Sequence, residues 1–110
     1  MEEIETIDSL SALAQPTRLQ AFRALVGCGE AGMAAGDLAR LLDVPQNTLS
    51  AHLAILARAG LVSGERHSRS IIYRADLACL RGVVLYLLKD CCGGRPEICA
   101  PLVTELAPCC

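Results

Sequence analysis

Three cysteines near the end of the chain have the types and spacing to bind a soft metal ion. The stretch KDCCGGRPEIC contains Cys91, Cys92 and Cys99. Adjacent residues of a helix point about 100° apart, so Cys91 and Cys92 face one ion only if a helix ends there. The two glycines that follow allow such a turn, and the next Arg-Pro pair directs the chain back toward Cys99. Three thiolates without a clustered histidine or carboxylate favour a thiophilic ion, so we predict a metal site at these cysteines.

Further cysteines leave the ligand set open. Five of the seven cysteines lie in the last 20 residues, and these include a second vicinal pair, Cys109 and Cys110. Arsenic(III) and antimony(III) are satisfied by three sulfur ligands, whereas zinc usually takes a fourth ligand, which Cys109 or Cys110 could supply. Cadmium(II), lead(II) and bismuth(III) are further alternatives. Cys28 and Cys79 stand alone at helical positions, where we expect small buried side chains rather than ligands.

The composition indicates a single helical domain. Of 110 residues, 53% are hydrophobic and 20% charged, which excludes a disordered chain, and 3% aromatics leave the core to aliphatic side chains. The longest apolar run, residues 82–88, is far shorter than the roughly 20 residues that cross a bilayer. The start MEEIETIDSL is acidic, unlike a signal peptide. We therefore expect a cytoplasmic protein without a membrane partner. In the cytoplasm, thiols stay reduced more often than they form disulfides.

Apolar spacing and helix-stop signals predict the elements that position these groups. A first helix is indicated by apolar residues at every third position: Ile4, Ile7, Leu10 and Leu13. It stops near Gln15-Pro16, and a second helix follows with an expected buried face of Leu19, Phe22, Leu25 and Val26. Residues 30–33 are expected to form a loose connection. Leu38, Leu41 and Leu42 mark a short third helix, which Asp43-Val44-Pro45 closes.

The fourth helix begins at Gln46 or Asn47 and ends at Ala59-Gly60. Its core face is expected to consist of Leu49, Leu53 and Leu56. Two short helices joined by so tight a turn form a helix-turn-helix.

The period then changes from helix to strand. Residues 61–63 and 70–74 are β-type runs around a polar tip, which predicts a hairpin. Asp76 can cap a last helix from residue 77 to about residue 90. That helix is apolar nearly all round, so one domain's core cannot cover it, and the same helix of a second subunit is the expected cover. A core helix of a monomer is the alternative.

The fourth helix has the residue types of a DNA-reading element. Although the net charge is −2, residues 40–74 carry five arginines against two acids. Side chains opposite the leucine face are small or amide-bearing, and Asn or Gln can bond adenine bidentately. We predict DNA contacts at Gln46, Asn47, Thr48, Ser50, His52, Arg58, Arg66 and Arg69. The alternative is that Gln46 and Asn47 only cap the helix and that the hairpin tip is a solvated turn.

Three stretches together resemble one family: LSALAQPTRLQAFRAL, GDLARLLDVPQNTLSAHLAILARAGLV and the hairpin end IIYRAD. They are similar to the ArsR/SmtB metal-responsive winged-helix repressors over residues 7 to 90, most specifically in LSxHLxxLxxAGLV. The resemblance implies a mainly α fold with a small β-hairpin, a winged helix-turn-helix over residues 1–92. It also implies a homodimer with the first and last helices at the interface, which binds double-stranded inverted-repeat operator DNA. Residues 93–110 form a cysteine-containing C-terminal tail.

The inducer sites of such repressors are matched only in part. The arsenic site on the third helix resembles CVCDL, but Ala34 to Leu38 here contain no cysteine. The zinc-type site on the last helix has Asp76, whereas Ala78, Lys89 and Cys92 replace its other ligands. Some arsenical repressors are similar in carrying a vicinal cysteine pair and a nearby third cysteine, so the resemblance favours As(III) or Sb(III) as inducer at Cys91, Cys92 and Cys99.

Two other functions are weighed against this one. A thiol redox-sensing or Cd/Pb/Zn-sensing repressor of the same fold is the first alternative. A small thiol enzyme is a remote one, because the sequence has neither a Cys-x-x-Cys pair nor a Gly-rich phosphate loop. We therefore expect no enzyme and no catalytic cofactor.

Overall fold

A computed structural model describes residues 2–89 and 96–106 of the chain. The elements in chain order are α1 Glu3–Leu13, α2 Pro16–Cys28, a single 3₁₀ turn Gly29–Ala31, β1 Met33–Ala34, α3 Ala35–Leu42, α4 Gln46–Arg58, β2 Val62–His67, β3 Ser70–Ala75, α5 Leu77–Lys89 and α6 Pro96–Leu106. The prediction of a mainly helical fold with a small hairpin is confirmed. Helix α6, which the sequence did not predict, lies in the tail.

The core lies where α2, α3 and α4 meet the base of the hairpin. Its largest fully buried side chains include Leu25 of α2, Leu38 of α3 and the α4 leucines Leu49, Leu53 and Leu56. The predicted leucine face of α4 is therefore confirmed. The predicted face of α2 is half wrong: Phe22 and Leu25 are buried, but Leu19 and Val26 are 45% and 38% exposed.

The hairpin belongs to a three-stranded antiparallel sheet of order β1-β3-β2. Strand β1 begins at Met33, the last residue of the segment that was expected to be a loose connection. Met33 stands opposite Tyr73, and Ala34 stands opposite Ile72. Gly32 precedes it with φ +68, and a Cβ at Gly32 would stand 2.5 Å from the Tyr73 carbonyl oxygen. Only glycine permits so close an approach of the two backbones. The hairpin is thereby tied to the helical core.

Helices α1 and α5 pack on each other and leave apolar side chains uncovered. The buried residues of α1 are all small: Ala12 and the two polar residues Thr6 and Ser9. The apolar stripe of α1 is instead exposed, with Ile4 at 72% and Ile7 at 55%. On α5, Val83 is 3% exposed, but Leu85 is 51% exposed. Asp76 caps α5 as predicted, since its Oδ1 accepts a hydrogen bond from the Cys79 N–H at 3.0 Å. These two helices therefore present an apolar surface to solvent in the single chain.

Candidate DNA-reading face and thiol site

The turn between α3 and α4 sets the direction of α4. Asp43 caps α3 in the left-handed conformation, with φ 56, and the Val44 N–H donates to the Ala39 carbonyl at 3.1 Å. Pro45, with φ −58, then fixes the entry into α4. Because three leucines of α4 face the core, its opposite face is directed outward over its whole length.

The N-terminal turn of α4 carries four of the predicted DNA contacts, and all four are exposed: Gln46, Asn47, Thr48 and Ser50. The alternative that Gln46 and Asn47 only cap the helix applies to Asn47 alone. The cap of α4 is Pro45, which offers no side-chain hydrogen bond, and Asn47 Oδ1 accepts a bond from the Thr48 N–H at 3.0 Å. Gln46 takes no part in capping, so its exposed amide is not occupied by the end of the helix.

A groove of about 370 Å³ lies between α3, α4 and β3, and it is where several predicted contacts meet. Gln46 and Ser50 line one wall, and Arg69 lines the other. Arg40 of α3 also lines the groove and forms an ion pair with Asp37. Sequence reasoning counted Arg40 in the basic middle segment but did not assign it to the site. The signal that could have found it is its position one turn before the helix-turn-helix turn.

The hairpin separates its charged side chains onto two faces. Arg66 stands opposite Ile71 in the register, and Ile71 and Tyr73 line the groove, so Arg66 lies on the groove side of the sheet. Glu65 lies on the other face, where His67 and Arg74 pair with it, the latter at 3.8 Å. Arg69 lines the groove with α4 residues, whereas Arg66 does not line it; their DNA contacts stay predictions.

Two predicted residues of α4 lie away from the groove. His52 is half-buried, and its Nδ1 is 3.3 Å from a guanidinium nitrogen of Arg18 on α2. Arg58 lies at the far end of α4, about 18 Å along the axis from Gln46, and lines a separate cleft with Asp8 of α1. The structure thus brings Gln46, Ser50 and Arg69 together but gives His52 and Arg58 different neighbours.

The predicted thiol site falls mostly outside what the structure describes. Cys91 and Cys92, like the extra candidates Cys109 and Cys110, lie outside the described residues. Cys99 is in the first turn of α6, and its side chain is also outside the description. Among the residues that are described, no group of three or more His, Cys, Asp or Glu could hold a metal ion.

The two isolated cysteines are half-buried rather than fully buried. Cys79 of α5 has its Sγ 3.8 Å from the Ser9 Oγ and 4.0 Å from the Ala59 carbonyl oxygen. It therefore packs at the junction of α1, α4 and α5. The expectation that Cys28 and Cys79 are buried side chains holds only in part, because both are half-buried, Cys79 against the core.

Comparison with known proteins identifies the family. The profile of a helix-turn-helix domain family matches residues 13–65. The transcriptional repressor SmtB of Mycobacterium tuberculosis is 42% identical over 65 residues, which are 59% of this chain and 46% of that protein. The chain thus spans about half the length of the curated relatives it matches.

Solved structures extend the similarity beyond the helix-turn-helix. An ArsR-like transcriptional regulator from Rhodococcus sp. RHA1 is 30% identical with a TM-score of 0.67, over 96% of this chain and 89% of that one. A homodimeric winged helix-turn-helix domain from Mycobacterium bovis is 26% identical, with TM-score 0.63 and 76% coverage of both chains. A protein named as a possible transcriptional regulator for arsenical resistance is 28% identical, with TM-score 0.64 over 73% of this chain and 80% of that one.

This chain belongs to the ArsR/SmtB family of winged helix-turn-helix transcriptional regulators. The identity and coverage of the Rhodococcus regulator carry that assignment, and the order of α3, α4 and the hairpin agrees with it. Within the described ranges there is also no helix long and apolar enough to cross a membrane.

Proposed function

We propose that this protein is a cytoplasmic transcriptional repressor that binds an inverted-repeat operator as a homodimer and leaves it when arsenite or antimonite binds Cys91, Cys92 and Cys99. The observation that carries the DNA part is the groove between α3, α4 and the hairpin. There, Gln46 and Ser50 stand beside Arg40 and Arg69. Amide and hydroxyl groups suit base edges, and guanidinium groups suit phosphates.

The dimer is supported by the uncovered apolar residues of α1 and α5. Ile4, Ile7 and Leu10 of α1 and Val84, Leu85 and Leu87 of α5 are each at least 40% exposed. Exposed apolar side chains on two helices that pack on each other are typical of a subunit interface. Half-sites one turn of duplex DNA apart require the two α4 helices of the dimer to be separated by about 34 Å.

The inducer part rests on donor chemistry. Three thiolates suit thiophilic ions such as arsenic(III), which takes three sulfur ligands. Cys99 lies in the first turn of an 11-residue helix that begins at Pro96. A regulator named for arsenical resistance is among the similar structures. Arsenite would act at the end of α5, beside the proposed dimer surface.

Induction then works through a shift between two states of the dimer. If the bound ion reorients the end of α5, it disfavours the spacing of the α4 helices that DNA requires. A coupling free energy of roughly 1–3 kcal/mol would weaken operator binding about 5- to 150-fold.

The test is titration of a protein–duplex complex with arsenite, followed by fluorescence anisotropy. The duplex is one that the wild-type protein selects from a random-sequence library. Cys91→Ser, Cys92→Ser and Cys99→Ser should each bind the duplex normally and lose release by arsenite, whereas Cys28→Ser, the matched control, should respond like wild type. Release of all three variants by arsenite would refute the thiol site while leaving DNA binding intact.

The same complex separates the alternatives. Release by peroxide and not by arsenite would identify a thiol redox sensor, since vicinal and nearby cysteines can form disulfides. Release by cadmium, lead or zinc alone would identify a different metal. Turnover of arsenate with a thiol reductant would point to the enzyme.

A further inference from the structure

Arg18 at the start of α2 joins the end of α1 to α4. Its Nε donates to the Ala12 carbonyl at 2.6 Å, and one terminal nitrogen is 3.3 Å from His52 Nδ1. The backbone N–H of Arg18 in turn donates to Gln15 Oε1 at 2.8 Å. Ala12 lies in the last turn of α1, where carbonyl groups lack partners within the helix and a cation is favourable. Both Arg18 and His52 are half-buried.

The contact fixes the proton on the histidine ring. A guanidinium group has only donors, so His52 Nδ1 must accept. In that hydrogen bond the ring proton lies on Nε2, since an Nδ1–H would present a donor to a donor. In the described part of the chain, Nε2 has no hydrogen-bond partner. The guanidinium charge also polarises the ring and strengthens Nε2–H as a donor.

His52 lies one turn after Thr48 on the same side of α4, because residues four apart are neighbours on a helix. Gln46 and Ser50 lie on the opposite side, toward the hairpin groove. The side of α4 that faces away from the hairpin therefore carries a hydroxyl and an N–H donor in line.

We propose that Arg18 is a positioning residue that holds His52 as the neutral Nε2–H tautomer, so that His52 donates to a DNA phosphate on the side of α4 away from the hairpin. This inference rests on the proposed DNA-binding function. Arg18 acts through His52 and makes no DNA contact of its own.

Two near-isosteric variants of His52 test the roles of its ring nitrogens Nδ1 and Nε2 separately. Asparagine places an acceptor near the Nδ1 position and lacks the far donor, whereas glutamine reaches the Nε2 position with a donor. Operator affinity should fall about 10-fold or more in His52→Asn, as expected for a lost bond to a charged group. It should be largely retained in His52→Gln.

The salt dependence of binding identifies the kind of contact. Loss of a cationic phosphate contact lowers the slope of log K against log salt by about 0.9. Because the His52 donor is neutral, His52→Asn should lower affinity with the slope unchanged. A fall in slope would mean a charged histidine and would overturn the tautomer assignment.

Arg18→Lys keeps the charge but cannot serve both Ala12 and His52 in the same geometry. It should lower operator affinity in the wild-type background and add little in the His52→Asn background, because both act on one contact. In nitrogen NMR of the free protein, the His52 ring should give the Nε2–H signature in wild type and a tautomer mixture in Arg18→Lys.

These measurements distinguish a failure of the proposed DNA-binding function from a failure of the Arg18–His52 inference. If wild type selects no duplex, the proposed function fails. If it binds DNA but His52→Asn binds like wild type, or Arg18→Lys costs the same in both backgrounds, then the Arg18–His52 pair only stabilises the fold and the inference is wrong. An Nδ1–H or doubly protonated ring in the free wild-type protein near neutral pH would overturn it without DNA. Thermal unfolding of each variant checks that it folds.

Discussion

At the scale of single residues, the groove beside α4 holds two kinds of side chain that suit different parts of DNA. Gln46 is exposed, is free of any capping role and shares the groove with Arg69. An amide can discriminate between base pairs because donors and acceptors differ along the major groove. A guanidinium group on the hairpin is suited to the backbone, which is the same for every sequence.

The two side chains should therefore fail in different ways. Gln46→Ala should cost about 1–3 kcal/mol on the selected operator and relax the base preference, with little change in salt slope. Arg69→Gln should weaken binding to all duplexes alike and lower the slope by about 0.9 per subunit. Anisotropy titrations over a range of salt, on selected and scrambled duplexes, measure both effects.

Arg23→Gln on α2 is the matched control for loss of an exposed arginine outside both the groove and the proposed dimer surface. If Gln46→Ala lowered binding equally on selected and scrambled duplexes, Gln46 would not be a base reader.

At the scale of elements, the hairpin depends on the short strand β1. The close approach of Gly32 to the Tyr73 carbonyl lets the chain before α3 pair with β3. Arg74 adds a second link, since its Nε donates to the Glu30 carbonyl at 2.7 Å. The hairpin is therefore held at a fixed angle to α3 and α4 instead of projecting alone.

Gly32→Ala should destabilise the fold by about 2 kcal/mol or more, because a methyl group would clash with backbone at a positive φ. Gly27→Ala is the control: Gly27 lies within α2 with open space around its Cβ position, and alanine should stabilise the helix by roughly 0.5–1 kcal/mol. Urea unfolding measures both. Equal stability of Gly32→Ala and wild type would contradict the close contact.

At the scale of the whole molecule, the single chain exposes apolar side chains on α1 and α5 that a stable monomer would be expected to bury. Their burial requires a partner surface of the same character, which a second copy supplies by symmetry.

Leu85→Glu should shift the protein from dimer to monomer and with it abolish high-affinity operator binding, since a carboxylate at a buried interface position is costly to desolvate. Leu41→Glu is the matched control, because Leu41 is 60% exposed on α3, away from both interface helices. Sedimentation equilibrium gives the oligomeric state. A Leu85→Glu protein that remains dimeric would show that α5 is not the interface.

The sequence by itself determined the helix-turn-helix, because leucines at helical spacing, Pro45 and Gly60 are local signals that act through neighbouring residues. Asp76 as a cap and the existence of the hairpin were readable for the same reason. The predicted extent of the tip, residues 64–69, was wrong, because residues 64–67 pair with β3 as part of β2 and only Ser68 and Arg69 form the turn. These signals depend on contacts within a few residues, and the structure keeps them.

The tertiary structure alone decided which face of each helix is buried and which distant side chains meet. Ile4, Ile7 and Leu10 form the apolar stripe of α1, yet Thr6 and Ser9 face inward, because α5 approaches that side and small residues allow close packing. Strand β1 exists only because β3 is beside it. The contact of Arg18 with His52, 34 positions apart, likewise depends on how α2 crosses α4. Such choices require the packing free energy of the whole core, which no local pattern contains.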